Sequence, residues 1–393
     1  MLRSTAFVTL TLALTLSLPV AVAAADCVGP ATDEPTAALA RTDHDVSGNR
    51  IARGCGPLAG DVLEVELGGT PAWVLPDPSD RGGSWFVVLE DGTVDHVIDD
   101  GSGAAFVTQS EAPPLTPGHP PLALATGENE VVVGSALGAT GWFADPLPDA
   151  RVTDISGAAL VAPVGPTDRY AHGVLGDELE ASAIEVRDQD GPQARIEVGA
   201  EEVIEGTSAM VLELVSNDLG PELLVTVSDS QDGARLRAYA LDGSVAAESD
   251  PIGQGYRWLH QIGAGHLAPD GALEIIAVRT PHIGGVVQAY RFLDGGLELA
   301  GSADGYSSHQ LGSPNLDMAL LADADGDGRL DVVVPVQSMD EIALLARTED
   351  GFEELDRLGL DARLSTNIAA TSSDDGGLVL AAGTSDGKLR LFR

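Results

Sequence analysis

Short hydrophobic runs separated by turn residues recur along most of the chain. Typical runs are Trp85–Leu89, Leu223–Val227 and Leu378–Leu380, which have the length and the Val, Leu and Ile content of β-strands. Asp-Gly pairs stand between many of these runs and supply the backbone conformations that tight hairpin turns need. No long stretch keeps the period of an amphipathic helix, so the pattern predicts an all-β protein.

The runs are grouped in a repeating unit of four strands. The clearest copy begins with Met318–Ala322 and continues with Val332–Val334, Ile342–Ala346 and Phe352–Leu358. Equivalent loops in neighbouring copies lie about 50 residues apart, which is typical of the blades of a β-propeller. The chain length then predicts a single β-propeller of about seven four-stranded blades, which occupies residues 59–393.

The last copy of the repeat ends after its third strand, at Lys388–Arg393. A blade that lacks its outer strand exposes an unpaired edge, which favours aggregation. The early run Asp61–Leu67 has the pattern of a strand and is available to fill this place. We therefore predict that an N-terminal strand closes the ring.

The N-terminus has the features of a secretory signal peptide. Arg3 provides a positive charge, Ala6–Val20 is uncharged and mostly apolar, and Ala21–Ala25 offers the small residues that a signal peptidase recognises. The apolar run is short for a membrane span. We therefore expect removal of residues 1–25, a periplasmic or secreted location, and no membrane span in the mature protein.

Cys27 and Cys55 are the only cysteines of the mature chain. An even number of cysteines in an exported protein favours a disulfide, and we predict one between these two residues. The bridge would close a loop that has few apolar residues. The mature chain is therefore divided into a disulfide-linked N-terminal extension, residues 26–58, and the propeller.

Acidic residues far outnumber basic ones and give a formal net charge of −40 at pH 7. A field of this sign repels phosphate backbones and anionic lipids, so we expect neither a nucleic-acid partner nor binding to a membrane surface. Two explanations of the charge stay open: adaptation to external salt, and a surface that collects divalent cations. We expect the protein to be a monomer.

One acidic loop has the spacing of a calcium site. The predicted ligands are the carboxylates of Asp323, Asp325, Asp327 and Asp331 and the peptide carbonyl of Arg329. A shell of oxygen atoms selects calcium over zinc or copper. An EF-hand begins in the same way, but it needs a glutamate where this chain has Val334, and helices where the flanking runs are strand-like. We therefore predict a calcium loop between two strands.

The unit formed by a strand, the pattern D-x-D-G-D-G-x-x-D and a Val-rich strand resembles the FG-GAP/VCBS repeat of integrin-α-type propellers. The copy at Asp323–Asp331 matches the whole pattern, whereas the copies around Asp218 and Asp270 match it without the run of carboxylates. Residues 167–393 are also similar to uncharacterised VCBS-repeat proteins exported by alphaproteobacteria. This similarity is carried by Arg169–Asp177, Arg257–His260, Pro281–His282 and His309. The resemblance implies a propeller fold and an exported location, and no established activity.

Five polar residues lie near predicted turns next to inner strands, where propellers line their central opening. They are His172, Asp177, Arg257, His282 and His309. A histidine with an oriented carboxylate can act as a general base, and an arginine can hold an anion. Alternatively, all five are structural residues that form hydrogen bonds in the turns.

Two functions of different class remain. The first is a binding or interaction scaffold whose ligand is unknown, such as a glycan or an envelope or extracellular protein. The second is a hydrolase or lyase that uses the central His, Asp and Arg residues. The sequence contains no G-x-S-x-G, H-E-x-x-H or phosphate-loop motif, which favours the scaffold. The two differ in whether His172, Asp177 and His282 come within hydrogen-bonding reach in an open pocket.

Overall fold

The structure is a computed structural model, and it describes residues 39–42, 47–58, 62–79, 83–109, 114–116, 118–127, 130–135, 140–214 and 220–393. The predicted signal peptide, residues 1–25, and Cys27 lie outside the described residues. The described ranges form β-strands, turns and one 3₁₀ turn at residues 140–142, and they contain no α-helix. The predicted all-β class is therefore confirmed. None of the described residues belongs to a helix with the length and apolar character needed to cross a membrane.

The described residues contain 29 strands, most of them short. The N-terminal part contains β1 (Leu39–Arg41), β2 (Ile51–Cys55), β3 (Val62–Glu66), β4 (Pro71–Pro76), β5 (Ser84–Leu89), β6 (Val94–Asp99), β7 (Ala105–Gln109), β8 (Pro121–Gly127) and β9 (Glu130–Ser135). The middle part contains β10 (Thr153–Ile155), β11 (Ala159–Thr167), β12 (Glu180–Asp188), β13 (Gly191–Glu197), β14 (Glu202–Ile204), β15 (Met210–Leu212), β16 (Glu222–Asp229), β17 (Gly233–Tyr239) and β18 (Val245–Glu248). The C-terminal part contains β19 (Leu259–His266), β20 (Leu273–Arg279), β21 (Val286–Leu293), β22 (Gly296–Asp304), β23 (Leu320–Asp323), β24 (Asp331–Pro335), β25 (Glu341–Arg347), β26 (Phe352–Gly359), β27 (Leu364–Ser372), β28 (Leu378–Thr384) and β29 (Lys388–Phe392).

Consecutive strands pair antiparallel into the successive sheets of a β-propeller. Strands β4 to β7 and β19 to β22 form four-stranded sheets, and β23 to β26 form another to which β2 adds a parallel strand. Strands β8 and β9 form a three-stranded sheet with β1. Strands β10 to β18 form one nine-stranded sheet, because the short β14 pairs with both β12 and β16. The sheets are therefore less uniform than predicted, and the count of seven blades stays a prediction.

The last sheet is completed by an N-terminal strand, as predicted. Strand β3 pairs antiparallel with β29, with Val65 opposite Leu389 and Leu63 opposite Leu391. The ammonium group of Lys388 also lies 2.7 Å from a carboxylate oxygen of Glu64. This pairing covers the edge that β29 would otherwise expose, and it joins the C-terminal strand to a strand from the N-terminal part of the chain.

The hydrophobic core lies between neighbouring sheets. In β24, Val332 and Val334 pack against residues of the preceding sheet, whereas Val333 packs against the following sheet. All three side chains are buried. Side chains of a strand alternate between the two faces of the sheet, and here both faces are covered. This is why inner strands of this protein have continuous apolar runs rather than alternating ones.

Residues 47–58, which we call the N-terminal strap, cross the inner strands of several sheets. The carbonyl of Ser47 accepts a hydrogen bond from the Val211 amide at 2.9 Å, and the side-chain amide of Asn49 bonds to both backbone groups of Ala264. The Gly56 amide then donates to the Asp323 carbonyl at 2.7 Å. The described part of the predicted extension, residues 26–58, therefore pairs with propeller strands. The domain boundary at residue 58 stays a prediction.

Candidate functional site

Four loops meet at one end of the ring and, with the start of β19, bring four histidines together. The Gly312 amide donates to the Val174 carbonyl at 2.9 Å, and Val174 packs with Trp258 and Leu316. The loops that meet are residues 168–179, 249–258, 280–285 and 305–319. We call the following residues the hub cluster: Tyr170, His172, Glu205, Trp258, His260, His282 and His309.

His282 and His309 form a directed hydrogen-bond chain. The Nε2 atom of His309 lies 2.7 Å from the carbonyl oxygen of Ser313, which can only accept, so this nitrogen carries the proton. The Nδ1 atom of neutral His309 must then accept, and it does so from Nε2 of His282 at 2.7 Å. Burial lowers the pKa of His282 to about 4 and the pKa of His309 to about 3. Both rings are therefore neutral near pH 7.

His260 is also fixed by hydrogen bonds at both ring nitrogens. Its ring stacks on that of Trp258 at a centroid distance of 4.6 Å. Its Nε2 atom lies 3.3 Å from a guanidinium nitrogen of Arg50, which can only donate, so Nε2 accepts and Nδ1 donates to the Ser308 hydroxyl at 2.8 Å. Burial, followed by the charge of Arg50, lowers the pKa of His260 well below its usual value.

His172 forms a pair with Glu205, and His172 is the more accessible of the two residues. Its Nδ1 atom contacts a carboxylate oxygen of Glu205, whose other oxygen accepts from the hydroxyl of Ser228. The side chain of His172 is 17% exposed and that of Glu205 is fully buried. The indole nitrogen of Trp258 donates to the Glu205 carbonyl at 3.0 Å. Glu205 therefore lies at the base of the cluster, and His172 separates it from solvent.

Asp317 is a buried carboxylate with two cationic partners. Arg151 donates to its two oxygens at 2.8 and 2.6 Å, and Arg50 of the strap lies 3.1 Å away. Burial alone would raise the pKa of Asp317, but the charges of Arg151 and Arg50 outweigh it and hold the pKa below its usual value. This ion pair links the strap to the loop that carries His309.

Two further carboxyl groups near the hub have raised pKa values. Glu180 is 2% exposed, and one of its carboxyl oxygens has no hydrogen-bond partner. Burial and the nearby charges of Glu205 and Asp149 raise the pKa of Glu180 far above its usual range. Burial and the charge of Asp177 raise the pKa of Asp149 to about 6, and one of its oxygens also has no partner. Glu180 is therefore a neutral acid near pH 7.

The cavity beside Glu205 and His260 is small. It measures about 20 Å³ and is lined by Glu205, Trp258, His260 and Arg50, among others. A volume of this size holds about one water molecule. The hub cluster is therefore packed against itself in this structure.

The structure brings together three of the five predicted residues. His282 contacts His309, and His172 is linked to this pair through Glu205 and Trp258, whose ring centroid lies 6.0 Å from that of His282. Asp177 is not the partner of His172: it is exposed and accepts from the Leu179 amide at 2.9 Å. Arg257 donates to the carbonyl of its neighbour Tyr256.

Sequence reasoning missed Glu205, Glu180 and His260. His260 lies two residues after Trp258 on an inner strand, and this Trp-x-His pattern was an available signal. Glu205 and Glu180 are two among 61 acidic residues, so nothing in the sequence alone singles them out.

The predicted calcium loop lies at a turn between β23 and β24, both of which are strands. The EF-hand alternative, which needs flanking helices, therefore does not apply to this loop. Gly326 and Gly328 have φ angles of 81° and 86°, a conformation that favours glycine and curls the loop. Ligand atoms of Asp323, Asp325 and Asp327 all lie within 4.8 Å of one another.

The electrostatics of the loop suit a cation. Burial and the charges of Asp325, Asp327 and Asp323 raise the pKa of Asp331 to about 7, although its carboxylate accepts from the Ala324 amide at 2.9 Å. Burial also raises the pKa of Asp323. Arg329 offsets part of the negative charge, because its guanidinium lies 2.6 Å from Asp327. The donor set consists of hard oxygen atoms and therefore fits calcium.

Comparisons with known proteins do not assign the chain to a family. No protein-family model matches it, and no curated protein matches its sequence. The WD40 β-propeller domain of Doa1 is 10% identical, with 86% of this chain and 96% of that chain covered and a TM-score of 0.43. BBS1N, in its complex with ARL6DN, is 15% identical, with 84% and 97% covered and a TM-score of 0.37. Because both TM-scores are low, the propeller assignment rests on the strand pairing and sheet packing described above.

Proposed function

We propose that the protein is an exported β-propeller of the FG-GAP/VCBS type that binds calcium and acts as a binding or interaction scaffold. A periplasmic or secreted location, with residues 1–25 removed and a bridge between Cys27 and Cys55, belongs to the same proposal. The pattern of the Asp323–Asp331 loop supports the repeat type and the metal. The ligand class that we propose is a glycan or another envelope or extracellular protein.

The observation that carries the scaffold role is the engagement of the hub histidines. Both ring nitrogens of His309 are in hydrogen bonds, and so are both ring nitrogens of His260. The adjoining cavity has room for about one water molecule. The ring nitrogens of His260 and His309 are therefore occupied, and the cavity that His260 lines has no room for a substrate. The same end of the ring instead exposes large apolar side chains, which favour contact with a partner.

An enzyme is the second candidate, and one arrangement favours it. His172 is partly exposed and contacts a buried carboxylate, as a general base oriented by an acid does. The variant His172→Gln separates the two functions. If the purified protein hydrolyses or cleaves a member of a glycan panel, and the variant loses about 100-fold in rate, the enzyme replaces the scaffold.

The calcium site is tested by thermal unfolding of the mature protein in EDTA and in millimolar calcium. Calcium binds the folded loop, so the melting temperature should rise with free calcium. For an extracellular module we expect a dissociation constant of roughly 0.1–1 mM. The variant Asp325→Ala should lose most of this shift. Asp242→Ala, which removes an exposed aspartate from another Asp-Gly turn, should keep it. An unchanged melting temperature in the wild type contradicts the metal assignment.

The scaffold role is tested by a binding screen of the mature protein against immobilised glycans and purified envelope proteins, with and without calcium. We expect saturable binding of at least one ligand. Its affinity should fall in EDTA if the metal stiffens the binding face. Catalytic turnover without any stable complex would contradict the scaffold proposal.

A further inference from the structure

The sheet formed by β1, β8 and β9 is shorter than its neighbour. Strand β8 lies beside β4, the first strand of the four-stranded sheet β4 to β7, so β8 and β9 correspond to the first two strands of that sheet. In the described part of the chain, β9 pairs with β8 alone. The other side of β9 is therefore a free edge, whose backbone groups can pair with a further strand.

The neighbouring sheet has an apolar face that the short sheet leaves uncovered. Val133 of β9 packs on the cluster that contains Phe86 of β5. Phe86 lies opposite His96 of β6, and Ile98, two residues further on, is on the same face. Phe106 of β7 lies opposite Ile98 and shares that face. Ile98 is 37% exposed and Phe106 is 60% exposed, so the outer part of this face is open to solvent.

Two complete sheets show what covers the equivalent face elsewhere in the ring. The third strands of the sheets β19 to β22 and β23 to β26 are β21 and β25. Val287 of β21 belongs to the same core cluster as Ala343 and Leu345 of β25, and all three side chains are buried. No described strand stands in the place of β25 beyond β9. Ile98 is therefore exposed for want of a third strand.

A strand added to the edge of β9 would take this place. Paired strands lie about 4.8 Å apart and packed sheets about 10 Å apart, so alternate side chains of the added strand would reach Ile98 and Phe106. Every described strand is already paired within a sheet, and none of them is left over to fill the edge. The occupant that fits is an extended segment with apolar residues at alternate positions.

The charge around the edge selects the remaining positions of that segment. No lysine or arginine occurs between Arg81 and Arg151. Glu90, Asp91 and Asp100 are exposed on the turns that join β5 to β6 and β6 to β7. A second copy of this chain would bring the same negative charges to the edge and be repelled, whereas a segment with basic residues would be attracted.

We propose that the free edge of β9 binds an extended segment of a protein partner in which apolar residues alternate with lysine or arginine. The backbone of the segment pairs with β9, and its apolar side chains pack on Ile98 and Phe106. Its basic side chains interact with the acidic turns of the neighbouring sheet. The inference rests on the proposed scaffold role, for which it names a surface and a partner class, and it does not involve the hub cluster.

The test is calorimetric titration of the mature protein, in about 0.15 M salt, with the peptide acetyl-Lys-Val-Lys-Val-Lys-Val-Lys-amide. Acetyl-Lys-Lys-Val-Val-Val-Lys-Lys-amide has the same composition without the alternation, and it measures attraction by charge alone. We expect the alternating peptide to bind at least about tenfold more tightly. A peptide with glutamate in place of lysine should bind more weakly still.

Two modified peptides test for backbone pairing. Successive N–H groups of a strand point to opposite sides in the plane of the sheet, so one alternate set must face β9. One peptide is N-methylated at its valines and the other at its two central lysines. We expect one of them to lose at least about tenfold in affinity and the other to bind like the parent peptide. Docking by side chains alone would affect both equally.

Two matched variants and hydrogen exchange locate the site. Phe106→Ser should weaken the alternating peptide about fivefold or more, because it removes apolar surface that the segment covers. Leu299→Ser, at a residue 54% exposed on the outer strand β22 of a complete sheet, should change affinity by less than about twofold. Saturating peptide should slow the exchange of those amides of residues 130–135 that do not bond to β8.

Several results would overturn the inference. They are equal affinities of the two N-methylated peptides, unchanged affinity in Phe106→Ser, unchanged exchange in residues 130–135, or no binding up to about 5 mM peptide. Slow exchange of the outward amides of β9 in the free protein would assign the edge to another segment of this chain. Self-association that Phe106→Ser abolishes would assign it to a second copy. If the binding screen finds a ligand whose affinity is unaffected by Phe106→Ser, the scaffold role stands and this inference alone is wrong.

Discussion

At the hub, Asp317 and Glu180 are both buried carboxyl groups, and their neighbours give them opposite protonation states. Arg50 and Arg151 surround Asp317 and keep its pKa low. The charges that act on Glu180 are those of other carboxyl groups, and its pKa is raised by burial and by Glu205. When the pKa of a group differs between the folded and unfolded states, the free energy of unfolding depends on pH. The two residues should therefore contribute with opposite signs.

The Glu180 contribution is measurable. Above a pH of about 4.5, the ordinary pKa of glutamate, the unfolded state loses a proton that the folded state retains. Stability therefore falls as pH rises through the neutral range. In Glu180→Gln the side chain at position 180 is neutral at every pH. The variant therefore does not lose stability in this way as pH rises. We expect the free energy of unfolding of the variant, relative to wild type, to increase by on the order of 1 kcal/mol per pH unit between about pH 5 and 8.

Urea unfolding of both proteins at several pH values provides the measurement. Glu178→Gln, at an exposed position in the loop just before β12, should track the wild type across this range. A constant difference between Glu180→Gln and the wild type would mean that Glu180 is ionised in the folded state, contrary to its burial.

Single residues were predictable where their local sequence was distinctive. His172, His282 and His309 lie in turns that follow clear strand patterns, and the structure brings these three together. The partner of His172 was not predictable, because Glu205 comes from a loop 33 residues away and reaches His172 only through the sheet packing. Asp177 was the sequence-local choice, and it instead binds a backbone amide of its own loop.

At the scale of elements, the calcium loop and the N-terminal strap support each other. The amides of Gly56 and Leu58 donate to the carbonyls of Asp323 and Ala324 at 2.7 and 3.1 Å. Strand β2 runs parallel to β23, and Asp323, the first predicted ligand, is the last residue of β23. The position of the metal loop therefore depends on backbone contacts from a distant part of the chain.

Gly56→Ala tests this support. A Cβ atom at Gly56 would lie 2.0 Å from the carbonyl oxygen of Ala324, so strap and loop must separate. We expect a loss of roughly 1–3 kcal/mol in stability, as for other overpacked sites. The stabilisation by calcium should also fall, because the loop loses part of its frame.

The control is Gly359→Ala, where a Cβ atom meets nothing within 4 Å. Thermal unfolding of the wild type, Gly56→Ala and Gly359→Ala in EDTA and in calcium measures both the stability and the stabilisation by calcium. A destabilised Gly56→Ala protein with an unchanged calcium shift would show that the strap stabilises the ring without affecting the metal loop.

The strand-loop-strand placement of the acidic motif was predictable, since the runs on both sides are rich in Leu and Val. The strap was not. Its strand Ile51–Cys55 contains Arg53 and Gly54 and has no clear alternation, and its partner lies about 270 residues further along the chain. A parallel pairing over that distance depends on the closed ring and leaves no local pattern.

For the whole molecule, the repeat period and the broken last unit together predicted the closure that β3 and β29 form. They did not predict the fusion of the middle sheets, because β14 is a three-residue strand that pairs on both sides. The core of the closure contains Val65, Leu389 and Leu391, which pack against residues of the sheet formed by β4 to β7. The stability of the ring should therefore be sensitive to single residues of β3.

Val65→Asp is the variant that tests the closure. Val65 is 6% exposed and lies opposite Leu389, whereas Val62 on the same strand is 42% exposed. An unpaired charge at position 65 should cost roughly 3 kcal/mol or more and detach β3. The uncovered edge of β29 can then pair with another molecule, so oligomers should appear in light scattering as protein concentration rises. Hydrogen exchange should accelerate first in residues 388–392. Val62→Asp adds the same charge at the exposed position and should remain monomeric with slow exchange there. If Val65→Asp behaves like Val62→Asp, the ring is held shut by the packing of the sheets and not by the N-terminal strand.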